Sequence, residues 1–145
     1  LDGGPHQGRA RSESQAAAAG VGAVGERTVL RLLYATRNSW NGLVAAARTE
    51  KAVQQELWLL LVAIPLAFVV ASETWRRVAL IGVILLLIVI ELLNTAVEKL
   101  SDHVTPDIHP SIGFVKDLGS AAVFFALLIA GMVWPVALAE RLGFL

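Results

Sequence analysis

Residues 84–100 read ILLLIVIELLNTAVEKL, an apolar run that nevertheless carries Glu91, Asn94 and Glu98. An acidic side chain at the centre of a bilayer costs roughly 2.5–3.5 kcal/mol on insertion scales, so a glutamate kept there calls for a function or a partner. The run confines the chain to two classes, a helix buried in a soluble core or a span of a membrane. Composition decides between them: 56% of the 145 residues are hydrophobic and 17% are charged, unlike an ordinary soluble domain. The chain reads as one small membrane protein. Its 12 basic and 12 acidic groups cancel, so no overall positive field draws nucleic acid, and nucleic acid is not expected as a partner. With no cysteine, disulfide and thiolate chemistry and a cysteine-based metal site are all ruled out.

Two further apolar segments accompany the first. Residues 57–71, LWLLLVAIPLAFVVA, are short for a span but extend backward through the helix-compatible EKAVQQE, with Pro65 tolerated as a kink. Residues 118–139, LGSAAVFFALLIAGMVWPVALA, carry small residues suited to close helix contact. The pattern predicts an all-α membrane protein with spans at about 50–72, 77–98 and 117–140. Arg27, Arg31, Arg37, Arg48 and Lys51 precede the first span and Lys99 and Lys116 flank the second connection, whereas Arg76, Arg77 and Arg141 lie on the other side. The positive-inside rule then places the N-terminus in the cytoplasm and the C-terminus outside, with the pair at 76 and 77 arguing against it.

Ahead of the spans, Val29, Leu33, Trp40, Leu43 and Ala47 share one helical stripe, which suits a helix lying on the membrane surface or one packed on its own protein, with Gly42 a candidate break. Residues 1–26 have the Gly, Ser, Ala and Gln content of a flexible tail, without the apolar core of a secretory signal. The GVGAVG at 20–25 fits G-x-G-x-x-G, but no strand precedes it, so it is not read as a phosphate loop.

At 100° per residue, Glu91, Asn94, Glu98 and Asp102 fall within about 80° of one another and form a single polar stripe. Glu98 closes the apolar run, and Glu91 lies roughly 10 Å deeper. Glu50 enters the first span from the same side, and Lys116 and Asp117 open the third there. All three helices thus deliver charge to one interface. Lys99, Glu56 and Glu73 are read as ordinary flanking charges solvated by headgroups. Hard oxygen ligands at Glu50 and Glu98 suit Mg²⁺, Lys116 can balance phosphate charge, and Glu91 sits where a lipid hydroxyl could present itself to a general base. His103 and His109, in a loop with Pro106 and Pro110, are read as solvated or near a nucleotide rather than as metal ligands. The residues alone reach no further than a membrane protein with an acidic interfacial site.

The runs ELLNTAVEKLSDHV and VKDLGSAAV, with NSWNGLVAAARTE and QQE upstream, closely resemble the prokaryotic diacylglycerol kinase family over roughly residues 27–145. The resemblance implies a homotrimer of three-helix protomers, each with an N-terminal surface helix, in a bacterial inner membrane. It implies transfer of the γ-phosphate of ATP to diacylglycerol, giving phosphatidic acid, with Mg²⁺ as cofactor and active sites shared between chains. Matched motif by motif, Glu91 would be the general base, Glu50 and Glu98 the Mg²⁺ ligands and Asn94 a site-organising group. Lys116 and Asp117 would serve the nucleotide phosphates, and Asp107 and His109 a nucleotide-facing loop. Arg31, Ser39 and Trp40 would lie near substrate on the surface helix. Tyr34 stands where some members have a phosphate-holding lysine, and Ile108 where an aromatic residue occurs. Two other functions stay open at this point: a kinase of the same family acting on undecaprenol, and a non-enzymatic membrane protein whose stripe is an ion or proton path.

Overall fold

A computed structural model describes residues 28, 30–104 and 109–145, and all of their regular structure is helical. The tail with its GVGAVG, together with Val29, Pro106, Asp107 and Ile108, lies outside the described residues. The chain divides into two units, Leu1–Val44 and Ala45–Leu145. In the first unit residues 30–44 are helical and form α1. Gly42 sits inside this helix instead of breaking it, because one glycine costs only about 1 kcal/mol relative to alanine. Thr36 folds its hydroxyl back onto the carbonyl of Leu32 at 2.9 Å.

The second unit opens with helical residues 45–49, followed by α2 (Lys51–Val70), α3 (Thr74–Val104) and α4 (Pro110–Arg141). Each of the three is long and apolar enough to cross a membrane. At 1.5 Å per residue α2 spans about 30 Å, matching the hydrocarbon layer, while α3 and α4 reach nearly 50 Å and must project beyond it. The apolar pattern ends the second span near 98 and opens the third near 117, whereas α3 runs on to Val104 and α4 begins at Pro110. Hydropathy marks where a helix leaves the apolar phase, whereas the charged turns beyond remain helical. Consequently His103 lies in the last turn of α3, not in a loop, where a basic side chain faces the carbonyl end of the helix dipole. The start of α4 has a local cause. Pro110 takes a first-turn position that needs no N–H donor, and the His109 ring accepts a hydrogen bond from the Ser111 amide at 3.2 Å.

Helix α3 is the middle of the bundle: 39% of its apolar window is buried, against 22% for α2 and 11% for α4. Its inward stripe of Leu80, Ile84, Leu87, Ile88, Glu91 and Thr95 is met by alanines. Ala63, Ile84 and Ala130 form one buried cluster, and Ala67, Ala71 and Leu80 another. Small residues against large ones let backbones approach closely, the packing that operates when lipid supplies no hydrophobic drive between helices. Outward, Trp58, Phe68, Phe124 and Phe125 are each more than half exposed, a surface that suits acyl chains and not water.

The end of the bundle near Arg76 is tied down by charge and backbone. Arg76 pairs with Glu140 and, at 3.3 Å, with Glu73. Arg77 donates to the Ala71 carbonyl at 2.9 Å with its guanidinium over the Phe68 ring, and Arg141 donates to the Val69 carbonyl at 3.2 Å. These two arginines satisfy carbonyls at the C-terminal end of α2 that have no intrahelical donor. The Trp134 indole donates to the Leu80 carbonyl at 3.2 Å, joining α4 to α3.

Toward the opposite end, α4 comes close to α3 at Gly119. A Cβ there would lie 2.2 Å from Asn94 Oδ1, whereas at Gly131, on the same helix, it would meet nothing within 4 Å. Gly119→Ala therefore forces Asn94 out of its rotamer or the helices apart. It should cost about 1–3 kcal/mol in unfolding experiments in mixed micelles, with Gly131→Ala within about 0.5 kcal/mol of the parent. Equal effects of the two substitutions would contradict the close contact.

Candidate active site

The site begins at the α2 N-terminus. Glu50 occupies the N-cap position in an extended conformation, yet its side chain makes no capping bond. Instead its Oε1 accepts from Lys99 Nζ on α3 at 2.8 Å and from the Thr49 hydroxyl at 2.8 Å. The same hydroxyl also lies 3.1 Å from the Ala45 carbonyl, so its one proton serves either acceptor in turn. The Lys99 hydrogen bond, helped by Thr49, holds the Glu50 carboxyl below the usual carboxylate range. A lowered value means that the folded protein favours the ionised form, so this contribution is present at neutral pH and fades as the pH falls through the folded pKa.

On α3 the expected stripe is present. Glu91 is buried at 8% exposure, three residues before Asn94, whose amide donates to Glu98 Oε1 at 3.1 Å. The charges of Glu98 and Glu50 both act on Glu91, so α2 and α3 bring three of the sequence-predicted acids together. One turn beyond Glu98, Asp102 pairs with Lys116 of α4. This pair ties α4 to the same end of α3, and it gives Lys116 a carboxylate partner, which the sequence reading had not assigned. Asp117, His103 and His109 are exposed. In the first unit Arg31, Ser39 and Trp40 are exposed on α1. Asp107, expected on the nucleotide side, lies outside the described residues.

Two flanking charges were misread. Lys99, expected among headgroups, is the partner of Glu50. Glu56, expected there too, is buried at 9% exposure on α2, and Glu91 repels it across the α2–α3 seam. Its Oε2 and Asn94 Oδ1 are buried without a hydrogen-bond partner among the described residues. Buried acceptors without donors are expensive and call for a ligand or a proton donor. The signal for Glu56 was available in the sequence: it lies three residues after the buried Val53, and Ala63 and Ala67 continue the same face. Glu73 behaves as expected, exposed and, among the described residues, paired with Arg76 of the first turn of α3.

Chemically, this end combines a buried carboxylate, two outer carboxylates of hard oxygen character, two ammonium groups and two open acceptors. Such a set suits a phosphate-bearing ligand meeting a hydroxyl-bearing one.

Comparison with known proteins gives this chemistry a family. The sequence model described as prokaryotic diacylglycerol kinase matches residues 37–138, a stretch that contains Glu50, Glu56, Glu91, Asn94, Glu98 and Lys116. The chain is 40% identical over 114 residues to a diacylglycerol kinase of Pseudomonas aeruginosa, covering 79% of this chain and 93% of that one. It is 35% identical over 113 residues to a diacylglycerol kinase of Escherichia coli strain K12, covering 78% and 93%. To a diacylglycerol kinase of Haemophilus influenzae it is 39% identical over 103 residues, covering 71% and 87%. With its three spans, its acidic cluster at one end and these relatives, the chain belongs to the prokaryotic diacylglycerol kinase family.

Proposed function

We propose that the chain transfers the γ-phosphoryl group of ATP to the free hydroxyl of diacylglycerol, giving phosphatidic acid and ADP. The carrying observation is the convergence of Glu50 and Glu98 on the buried Glu91, beside the open acceptors of Glu56 and Asn94. Among the described residues no group of three or more acidic, His or Cys side chains is arranged to hold a metal unaided. Two carboxylates with hard oxygens nevertheless fit Mg²⁺, which is commonly bound through one or two carboxylates plus substrate phosphates. Glu50 and Glu98 would hold it, and when bound it supplies charge neutralisation at the transferring phosphate.

Glu91 is the general base. It takes the proton of the lipid hydroxyl as that oxygen bonds to the γ-phosphorus, while the bond from phosphorus to the bridging oxygen breaks and ADP leaves. Its depth, about 10 Å below Glu98, lets it reach a hydroxyl whose acyl chains stay in the bilayer. Asn94 organises the site by holding Glu98 through its amide, and Gly119 leaves it the room. Lys116 and Asp117 serve the phosphates, with Asp107 and His109 beside the nucleotide. Arg31, Ser39 and Trp40 serve the lipid side, on a helix α1 whose exposed Leu30, Leu33 and Trp40 suit a membrane surface.

The chains form a homotrimer with shared sites in a bacterial inner membrane, the N-terminus and the acidic end facing the cytoplasm. A ring of identical chains supplies clefts at its interfaces that a single three-helix chain does not. The basic residues before α2 and around the α3–α4 connection support that orientation.

The reading is tested by phosphoryl transfer in mixed micelles from labelled ATP, with Mg²⁺, to diacylglycerol or to undecaprenol. Label is expected in phosphatidic acid. Transfer to undecaprenol alone would replace the acceptor, and transfer to neither would remove the activity. In the same assay Glu91→Gln should lower kcat by at least about 100-fold with nucleotide binding kept, whereas Glu98→Gln should be partly rescued by excess Mg²⁺. Reporters fused at the N-terminus and after Leu145 should read cytoplasmic and external respectively; both on one side would break the proposed topology. Finally, co-assembled mixtures of Glu50→Gln and Lys116→Met chains, each inactive alone, should regain activity at roughly one site in four if these residues meet across chains. Silence with co-assembly confirmed would mean that each chain carries this pair by itself.

A further inference from the structure

Among the described residues, Lys99 is the one cation seated directly on a carboxylate assigned to the metal. A lysine at the edge of a membrane ordinarily extends into headgroups and water. Here the side chain, 63% exposed, turns back to Glu50 at 2.8 Å, and its charge also acts on Asp102 and Glu98. Glu50 spends its side chain on this pair and on Thr49, not on capping its own helix. One positive charge therefore sits among the acids that the proposed mechanism assigns to a divalent cation. Two cations at neighbouring oxygens repel each other, and at separations well inside the Debye length salt screens that repulsion only in part.

We propose, resting on the metal reading above, that Lys99 is a displaceable counter-ion. It holds Glu50 in position in the metal-free protein, and it is driven off when a divalent cation binds, so that metal affinity includes the loss of this pair. The long, exposed stem allows the ammonium to leave without moving the helix. In this account Lys99 is a positioning residue: it acts on the reaction through Glu50.

The test uses the full chain in mixed micelles, with Mn²⁺ alone as the probe, titrated by the loss of its free electron-paramagnetic-resonance signal. Lys99→Met should bind Mn²⁺ on the order of tenfold more tightly than the parent, and Lys99→Arg should stay near it. In chelator Lys99→Met should unfold at a lower temperature, and the difference should close as Mn²⁺ saturates. Equal or weaker Mn²⁺ binding by Lys99→Met overturns the proposal. Should that variant not fold, acylation of the Lys99 amine in the parent protein, followed by mass spectrometry, gives a second reading. Reactivity should rise when Mn²⁺ is added, and no change or protection overturns the proposal. Glu50→Gln distinguishes the counter-ion from the metal site. Lost Mn²⁺ binding there, with no tightening in Lys99→Met, rejects the counter-ion and leaves the metal reading standing; full Mn²⁺ binding in Glu50→Gln rejects the metal reading and the counter-ion with it.

Discussion

Repulsion between carboxylates in a poorly screened environment is the constraint around which this end of the bundle is arranged. The charges of Glu50 and Glu98 act on Glu91, and that of Glu91 on Glu56, across α2 and α3. For the two buried ones, Glu56 and Glu91, a charge left without a cation, a donor or a ligand is costly. Lys99 answers for Glu50 and the Asn94 amide for Glu98. Nearby, Lys116 answers for Asp102. For Glu56 Oε2 no donor within the described residues does so. A site that leaves acceptors open is less stable than an apolar seam of the same shape, and it is ready for substrates that bring cations, protons and hydroxyls.

The two ends of the bundle differ accordingly. Near Arg76, arginines bind backbone carbonyls, Trp134 joins α4 to α3, and alanines meet leucine and isoleucine in closed clusters. That end provides rigidity. At the other, the helices run past the apolar layer and carry their charges into the interface. The buried stripe of α3 connects the two, with Leu80 at one end and Glu91 and Thr95 toward the other.

Much of this was legible in the sequence because the signals are local. Three apolar runs gave three helices, and a 3.6-residue period placed Glu91, Asn94 and Glu98 on one face. The helices run beyond the spans read at 77–98 and 117–140 because hydropathy reports the surrounding phase, and the turns through Asp102 and Lys116 are helical yet charged. Glu56 and Lys99 were misread because a charge beside a span is usually solvated; the helical period of α2 marks Glu56, whereas the pairing of Lys99 with Glu50 shows only in three dimensions. The role of Gly119 was invisible for the same reason: its neighbour, Asn94, is on another helix.

The central claim is that phosphoryl transfer occurs at the Glu50, Glu91 and Glu98 end. Paramagnetic broadening of glutamate side-chain carboxyl signals tests it most directly, using ¹³C-labelled protein in bilayers with the Mn²⁺ complex of a non-hydrolysable ATP analogue. The account predicts that Glu50 and Glu98 lose their signals first and Glu91 next, while Glu73 and Glu140, at the Arg76 end, stay sharp. Broadening of Glu73 or Glu140 with Glu98 unaffected would put the nucleotide at the wrong end of the bundle and contradict it.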